Sequence, residues 1–279
     1  MLTGPLGISG RMIQRLTRGR GVTLNGRPAF MDRLVRAGDV IAARIADRET
    51  PTLPPVEIPL SIVYEDADLV VVDKAPGELV HPTAPHHTRT VAHGLAHRYA
   101  GQGIELKVRP VHRLDRDTSG VLLVAKTAFA HQRLDRQLRE GTLTREYLAV
   151  VEGVIEEEEG VIDQPIGPSR KDPRLRMVRP DGQHAVTRFS VLERLPGATV
   201  VQVALETGRT HQIRVHTASA GHPIVGDMSY GAARSPWIRR PALHAVRLRF
   251  DHPATGEPLE VSSPIAPDIE ALRARTRRD

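Results

Sequence analysis

Apolar residues fall along this chain in short runs whose spacing switches between strand and helix periods. Ser61 to Tyr64 and Leu69 to Val72 read as two strands, separated by the acidic turn Glu65-Asp66-Ala67-Asp68. Further runs predict strands at Val121 to Ala125, Tyr147 to Val151, Val186 to Leu192 and Thr199 to Leu205. Helical spacing marks Thr90 to Tyr99, Thr127 to Arg139, and Thr210 to Ala220, the last stopped by Gly221. Strands follow strands more often than they alternate with helices. That order predicts an α+β fold with a mixed, largely antiparallel sheet flanked by helices, not a doubly wound parallel sheet. The acidic run Glu156 to Glu159 beside Gly160 reads as a solvated hairpin tip, and no internal repeat is present.

The first fifty residues have a pattern of their own. Ser9 is placed to cap a helix from Gly10 to Arg18. Met12, Ile13 and Leu16 form its apolar side, and Arg11, Arg15 and Arg18 share another face at i, i+4 and i+7. Gly19 and Gly21 are expected to end it. Val22-Thr23-Leu24 then reads as a strand. Asn25-Gly26 follows as a hairpin signal, because a type I′ turn needs positive φ at both central residues. Gly38-Asp39 turns the chain again before the apolar run Val40 to Ala43. Next comes Thr50-Pro51-Thr52-Leu53-Pro54-Pro55, with three prolines in six residues. The expected organisation is a small α/β unit at 1–50, a proline-rich linker at 51–58, and a main body at 59–279.

Charge sharpens that division. The 279 residues carry a net +6, and residues 1–50 alone hold nine Arg, no Lys and four acids. A basic segment joined to a nearly neutral body points to an anionic polymer as partner. The absence of cysteine excludes a disulfide scaffold, a thiolate metal site and a cysteine nucleophile. No apolar stretch approaches a membrane span and the N-terminus has no signal-peptide pattern, so a cytoplasmic protein with no membrane partner is expected. No segment reads as a dimer seam, and a monomer is the expected state.

Three segments concentrate groups that can do chemistry. Val111-His112-Arg113-Leu114-Asp115-Arg116-Asp117-Thr118-Ser119-Gly120 runs directly into the apolar strand from Val121. Two acids, two arginines and a histidine at a strand mouth are denser than turn-capping requires. Glu206 to His216 includes His211 together with Arg209, Gln212 and Arg214, and the forks of Arg and Gln suit phosphate, carboxylate or a base edge. Arg145-Glu146-Tyr147 opens a strand, and by itself Tyr147 is an ordinary strand aromatic.

Together these segments resemble the RluA family of pseudouridine synthases. His112 to Asp115 followed by Thr118 to Gly120 is similar to the family's central motif, and Gly208 to His216 to its later one. Lys74-Ala75-Pro76-Gly77, Gly221 to Asp227, Tyr230-Gly231 and Leu243-His244-Ala245 continue the likeness, which spans about residues 57 to 268. The basic helix, Val22 to Gly26 and Ala37 to Ile41 resemble an alpha-L RNA-binding domain, with its opening helix reduced or missing in Met1 to Ile8.

The resemblance implies a central cleft in which uridine of structured RNA is isomerised to pseudouridine, with no cofactor and no metal. It makes Asp115 the carboxylate that works at C1′, as in glycoside chemistry, Arg214 its partner, and Tyr147 the tyrosine against the uracil. Arg145 stands where the family commonly has Lys. His112, Arg113, Leu114, Thr118, Arg209, His211 and Gln212 are the expected substrate-binding residues, and Arg113 is expected to fill the space of the extruded base. Arg11, Arg15, Arg18, Asn25 and Arg27 are the expected RNA contacts of the small unit. The expected substrate is large-subunit ribosomal RNA, with transfer RNA as the alternative.

Two other readings compete with this one. A non-catalytic RNA-binding assembly factor would have no use for Asp115, Tyr147 and Arg214. A metal-dependent hydrolase would need His81, His86, His87, His93 and His97 to converge as three or four ligands.

Overall fold

The computed structural model describes residue 8 and residues 10–30, 32–44 and 52–277, with Arg11 described in its backbone only. In chain order the elements are α1 (Gly10–Arg18), β1 (Val22–Leu24), β2 (Arg27–Pro28), β3 (Ile41–Ala43), β4 (Ser61–Glu65), β5 (Leu69–Lys74), α2 (Val91–Gly101), β6 (Arg109–Pro110), β7 (Ser119–Ala125) and α3 (Ala128–Glu140). There follow β8 (Thr144–Glu152), β9 (Glu159–Asp163), β10 (Ile166–Pro168), β11 (Arg176–Val178), β12 (Val186–Leu195), β13 (Ala198–Leu205), α4 (Gln212–Ser219), a 3-10 turn (Met228–Tyr230), β14 (Leu243–Asp251), β15 (Pro258–Ser262) and α5 (Pro267–Thr276).

One ten-stranded sheet organises the body, in the order β4-β5-β7-β14-β8-β13-β12-β9, with β15 beside β14 and β6 beside β7. Its pairings are antiparallel except β7 on β14. The fold is therefore α+β with a mixed, largely antiparallel sheet, as the run order predicts. Every residue of β7 is buried, and so is β8 apart from its two ends, Thr144 and Glu152. This is why their sequences read as unbroken apolar runs.

The parallel step from β7 to β14 positions the site. Gly120 lies against Ala245 with φ 109°, and a Cβ there would stand 2.1 Å from the Ala245 carbonyl oxygen. Only glycine allows this approach. It aligns Ser119 with His244, whose Nδ1 is 2.9 Å from the Ser119 hydroxyl.

Helix α3 shows how local sequence sets the ends. The Thr127 hydroxyl accepts from the Ala130 N–H at 3.0 Å, and Gly141 closes the helix in the left-handed region at φ 77°. At the end of α1 the left-handed residue is Arg20, φ 53°, lying between the two glycines expected to stop the helix. Ser9, the expected cap of α1, lies outside the described residues.

Near the N-terminus, β2-β1-β3 form a three-stranded sheet, and Asn25 and Gly26 take φ values of 50° and 77° in the hairpin turn. Ile8, Met12, Ile13, Leu16 and Val22 form a small core that also takes in Phe129 of α3. The apolar side of α1 thus rests on the main body, and Arg15 and Arg18 face solvent. Among the described residues no helix is long and apolar enough to cross a membrane.

Candidate active site

The segment between β6 and β7 carries Asp115, and two buried cations hold its backbone. Lys74 Nζ donates to the carbonyls of Ala75, Glu78 and Arg116 at 2.8, 3.0 and 2.8 Å. Arg240 Nη1 donates to the Asp117 carbonyl at 3.0 Å while its other nitrogens grip Asp268. Burial pushes the Lys74 ammonium down to about 8. Because both cations act on carbonyls, the Asp115 side chain is left to face the cleft.

That cleft encloses about 790 Å³ and is lined by Asp115, Tyr147, Arg145, Arg209, His211 and Arg214 among others. A side pocket of about 190 Å³ shares Asp115, Arg113, His211 and Arg214 with it. Arg214 Nη1 lies 3.5 Å from Asp115 Oδ2. The stronger grip on Arg214 comes from Asp227, which accepts from Nε at 2.6 Å and Nη2 at 2.8 Å in a bidentate pair. Burial works against the Arg214 charge, but Asp227 and then Asp115 outweigh it and push its pKa up. Tyr147 is buried on β8, and that burial pushes its phenol up, with Asp115 adding and Arg145 opposing.

Residues expected to bind substrate divide by what already occupies them. Arg113 is exposed beside Asp115, and its guanidinium makes no hydrogen bond or ion pair among the described residues. Arg209 is exposed, with its Nε on the His184 carbonyl at 2.9 Å. His211 precedes α4 in the left-handed region, so α4 starts at Gln212, two residues later than its sequence spacing suggests. Gln212 is buried and fully engaged. Its oxygen accepts from Thr207 Oγ1 and the Arg209 N–H, and its nitrogen donates to Val186 O and Thr187 Oγ1. It holds the 207–209 turn against β12, and its amide is fully used inside the protein. Leu114 and Thr118 are buried in the Asp115 loop, with the Thr118 N–H on the Asp115 carbonyl. Asn25 is similarly committed, to Asp39 Oδ1 and the Val40 N–H, while Arg27 is exposed.

His112 is buried behind Asp115, with Nε2 accepting the Leu123 N–H at 3.1 Å. Burial first, and Arg145 second, push it down to about 3. Between pH 6.5 and 3 the unfolded chain therefore takes up a proton that the folded protein refuses. Stability from this group is complete above pH 6.5 and falls as the pH drops through that window, by at most about 1.4 kcal/mol per unit. We expect His112→Gln to flatten the acid side of the denaturant-unfolding stability profile; an unchanged slope contradicts this assignment.

Sequence reasoning missed Asp227, Tyr230, Lys74 and Arg240 as parts of the site. Each lies far along the chain from Asp115: Lys74 arrives on β5, paired with β7 opposite Gly120, and Asp227, Tyr230 and Arg240 arrive on the chain that returns after α4 toward β14. The five histidines of 81–97 do not converge. His93 is buried on Thr90, His87 contacts Thr83 and His86, and His81 lines the cleft. Among the described residues the grouping that could hold a cation is Asp66, Asp68 and His252. There His252 Nδ1 accepts the Ala254 and Thr255 N–H groups, so Nε2 carries the proton that bonds Asp66 Oδ2 at 2.9 Å. Asp66 is already engaged by the Tyr64 hydroxyl, the Asp68 and Leu69 N–H groups and His252.

The fold is that of the pseudouridylate synthases. The solved structure of human RNA pseudouridylate synthase domain containing 1 matches with TM-score 0.63 and 32% identity, over 76% of this chain and 87% of that one. The sequence model of the family described as RNA pseudouridylate synthase matches residues 68–219. The chain is 42% identical to the uncharacterized RNA pseudouridine synthase YlyB of Bacillus subtilis, over 96% of this chain and 89% of the relative. It is 41% identical to ribosomal large subunit pseudouridine synthase D of Vibrio cholerae, over 88% of this chain and 79% of the relative. This chain belongs to the RluA family of RNA pseudouridine synthases, isomerases that convert uridine to pseudouridine in RNA.

Proposed function

We propose that the enzyme isomerises uridines of large-subunit ribosomal RNA, with Asp115 as the carboxylate that acts at C1′. The observation that carries the chemical part is the Asp115–Arg214 pair, 3.5 Å apart in a cleft that Tyr147 also lines. The name of the Vibrio cholerae relative supports the choice of RNA.

The reaction breaks the C1′–N1 bond and leaves its electron pair on the uracil. Asp115 meets the positive character at C1′. The base turns, C5 bonds to C1′, the C5 hydrogen leaves as a proton and N1 gains one. Nothing is gained or lost overall, so the balance calls for no cofactor. Arg214 keeps Asp115 in place, and Asp227 neutralises Arg214 when Asp115 is engaged. Tyr147 packs against the uracil, and because burial keeps its phenol protonated it relays the C5 proton, its oxygen receiving that proton as its own hydrogen passes to solvent. Base extrusion costs a few kcal/mol, and Arg113, exposed and with its guanidinium unengaged, fills the vacated place in the stack.

The small N-terminal unit is an RNA-holding module acting as part of a monomer. Replacing Arg11, Arg15 and Arg18 by Ala is expected to weaken binding evenly across RNAs and to lower the salt slope by about 1 for each phosphate no longer neutralised. An unchanged slope in filter binding removes this role from the helix.

The RNA assignment is tested with purified enzyme on unmodified large-subunit ribosomal RNA and on bulk transfer RNA, both tritiated at uridine C5. Tritium release from ribosomal RNA alone is expected. Release from transfer RNA alone moves the target there.

A further inference from the structure

His211 is one of the non-glycine residues with positive φ, at 58°. Such a conformation is costly and persists where the surroundings enforce it. The His211 side chain meets Tyr230, whose hydroxyl lies 2.7 Å from His211 Nδ1, with the two rings edge to face. The same hydroxyl oxygen accepts the backbone N–H of Arg176 at 3.0 Å.

A phenol has one hydrogen and an oxygen that accepts. With the Arg176 N–H directed at the oxygen, sending the hydroxyl hydrogen to His211 Nδ1 uses both the donor and the acceptor of the phenol, whereas the opposite tautomer leaves that hydrogen without a partner among the described residues. An Nδ1 that accepts leaves the proton of the neutral ring on Nε2. Nε2 is the atom that faces Asp115, 3.9 Å from Oδ1. The other carboxylate oxygen faces Arg214. Arg214 in turn is gripped by Asp227 and lies 4.7 Å over the Tyr230 ring.

We propose that Tyr230 is a positioning residue that fixes the tautomer of His211, so that His211 turns an N–H toward the Asp115 carboxylate. The segment 227–230 then controls both oxygens of Asp115, through Arg214 on one side and His211 on the other. A ring in the opposite tautomer would present a lone pair to the carboxylate and push it away. The charged and titratable groups facing His211 are Asp115, Asp227, Arg214, Arg176 and Tyr230. Burial holds His211 below its ordinary value, with Arg214 and Arg176 adding and the two aspartates opposing, so the ring is neutral at neutral pH.

The proposal rests on Asp115 acting at C1′, and its test includes a readout independent of activity. Nitrogen-15 NMR of histidine-labelled protein is expected to show His211 of the wild type as the neutral Nε2–H form. In Tyr230→Phe, which keeps the ring over Arg214, the Nδ1–H form is expected to gain population. Tritium release from unmodified large-subunit ribosomal RNA is expected to show kcat about 10- to 100-fold lower in this variant, on the scale of a hydrogen bond to a charged group. KM is expected to stay within about threefold, since Tyr230 acts through Asp115. His211→Gln, which offers an amide N–H near the Nε2 position, is expected to retain more activity than His211→Ala. An Nδ1–H ring in the wild type, or a Tyr230→Phe enzyme with unchanged kcat, overturns the proposal. Retained activity in Asp115→Asn defeats the reading of Asp115 itself, and the measured tautomer then still decides the arrangement.

Discussion

Asp115→Asn is expected to cut single-turnover tritium release at least about 10⁴-fold, the scale of removing a reacting group. The fold is expected to survive, for a reason visible in the charges. Arg214 keeps its bidentate partner Asp227, so removing the Asp115 charge strands no buried cation. The Asp115 side chain is part-exposed to the cleft, and its loop is held by Lys74 and Arg240 through backbone carbonyls. RNA affinity is expected to stay within about threefold, because the phosphate contacts lie elsewhere. Turnover retained in this variant would remove Asp115 from the chemistry. Loss of both turnover and folding would show that the loop depends on its carboxylate.

Gly120→Ala is expected to have the largest effect on stability. Its φ of 109° is strained for any side chain, and its Cβ would lie 2.1 Å from the Ala245 carbonyl oxygen and 2.7 Å from the Ala245 nitrogen. Neither backbone atom can give way without parting β7 from β14 at the centre of the sheet. A loss above about 4 kcal/mol in denaturant unfolding is expected, in the range reserved for such mechanisms. Gly197→Ala serves as comparison, with φ 66° and nothing within 4 Å of the added carbon. It is expected to cost about 1 to 2 kcal/mol, the strain of the left-handed region alone. Equal losses at the two positions would show that the β7–β14 contact relaxes freely.

Much of the fold was legible where burial is one-sided or complete. The predicted runs at Ser61, Leu69, Val121, Tyr147, Val186 and Thr199 are β4, β5, β7, β8, β12 and β13, and Asn25-Gly26 makes the expected turn. Strand β14 escaped, although it lies at the middle of the sheet. Its Arg247 and Arg249 interrupt the apolar pattern, and they are accommodated by ion pairs to Glu146 and Glu260. Such pairing cannot be read from one segment. The edge strand β9 is short, acidic at both ends and carries the exposed Val161, so its apolar signal is weak.

The site was legible in the same uneven way. The density of chemical groups pointed to the two segments, the family resemblance singled out Asp115 and Arg214 within them, and the structure brings the two together across 99 residues of chain. The residue types alone did not separate side chains that face the cleft from those that build it. Gln212 and Asn25 have the chemistry of contact residues, yet their amides close local turns. Asp227 and Tyr230 stood in a matching stretch without a stated role, because their role exists only through Arg214 and His211.

The most direct test of the account is pseudouridine mapping of total RNA from cells with and without this gene, complemented by wild type or by Asp115→Asn. The account predicts that one or a few sites in large-subunit ribosomal RNA vanish without the gene, return with the wild type and stay absent with the Asn variant. Restoration of those sites by Asp115→Asn would contradict it.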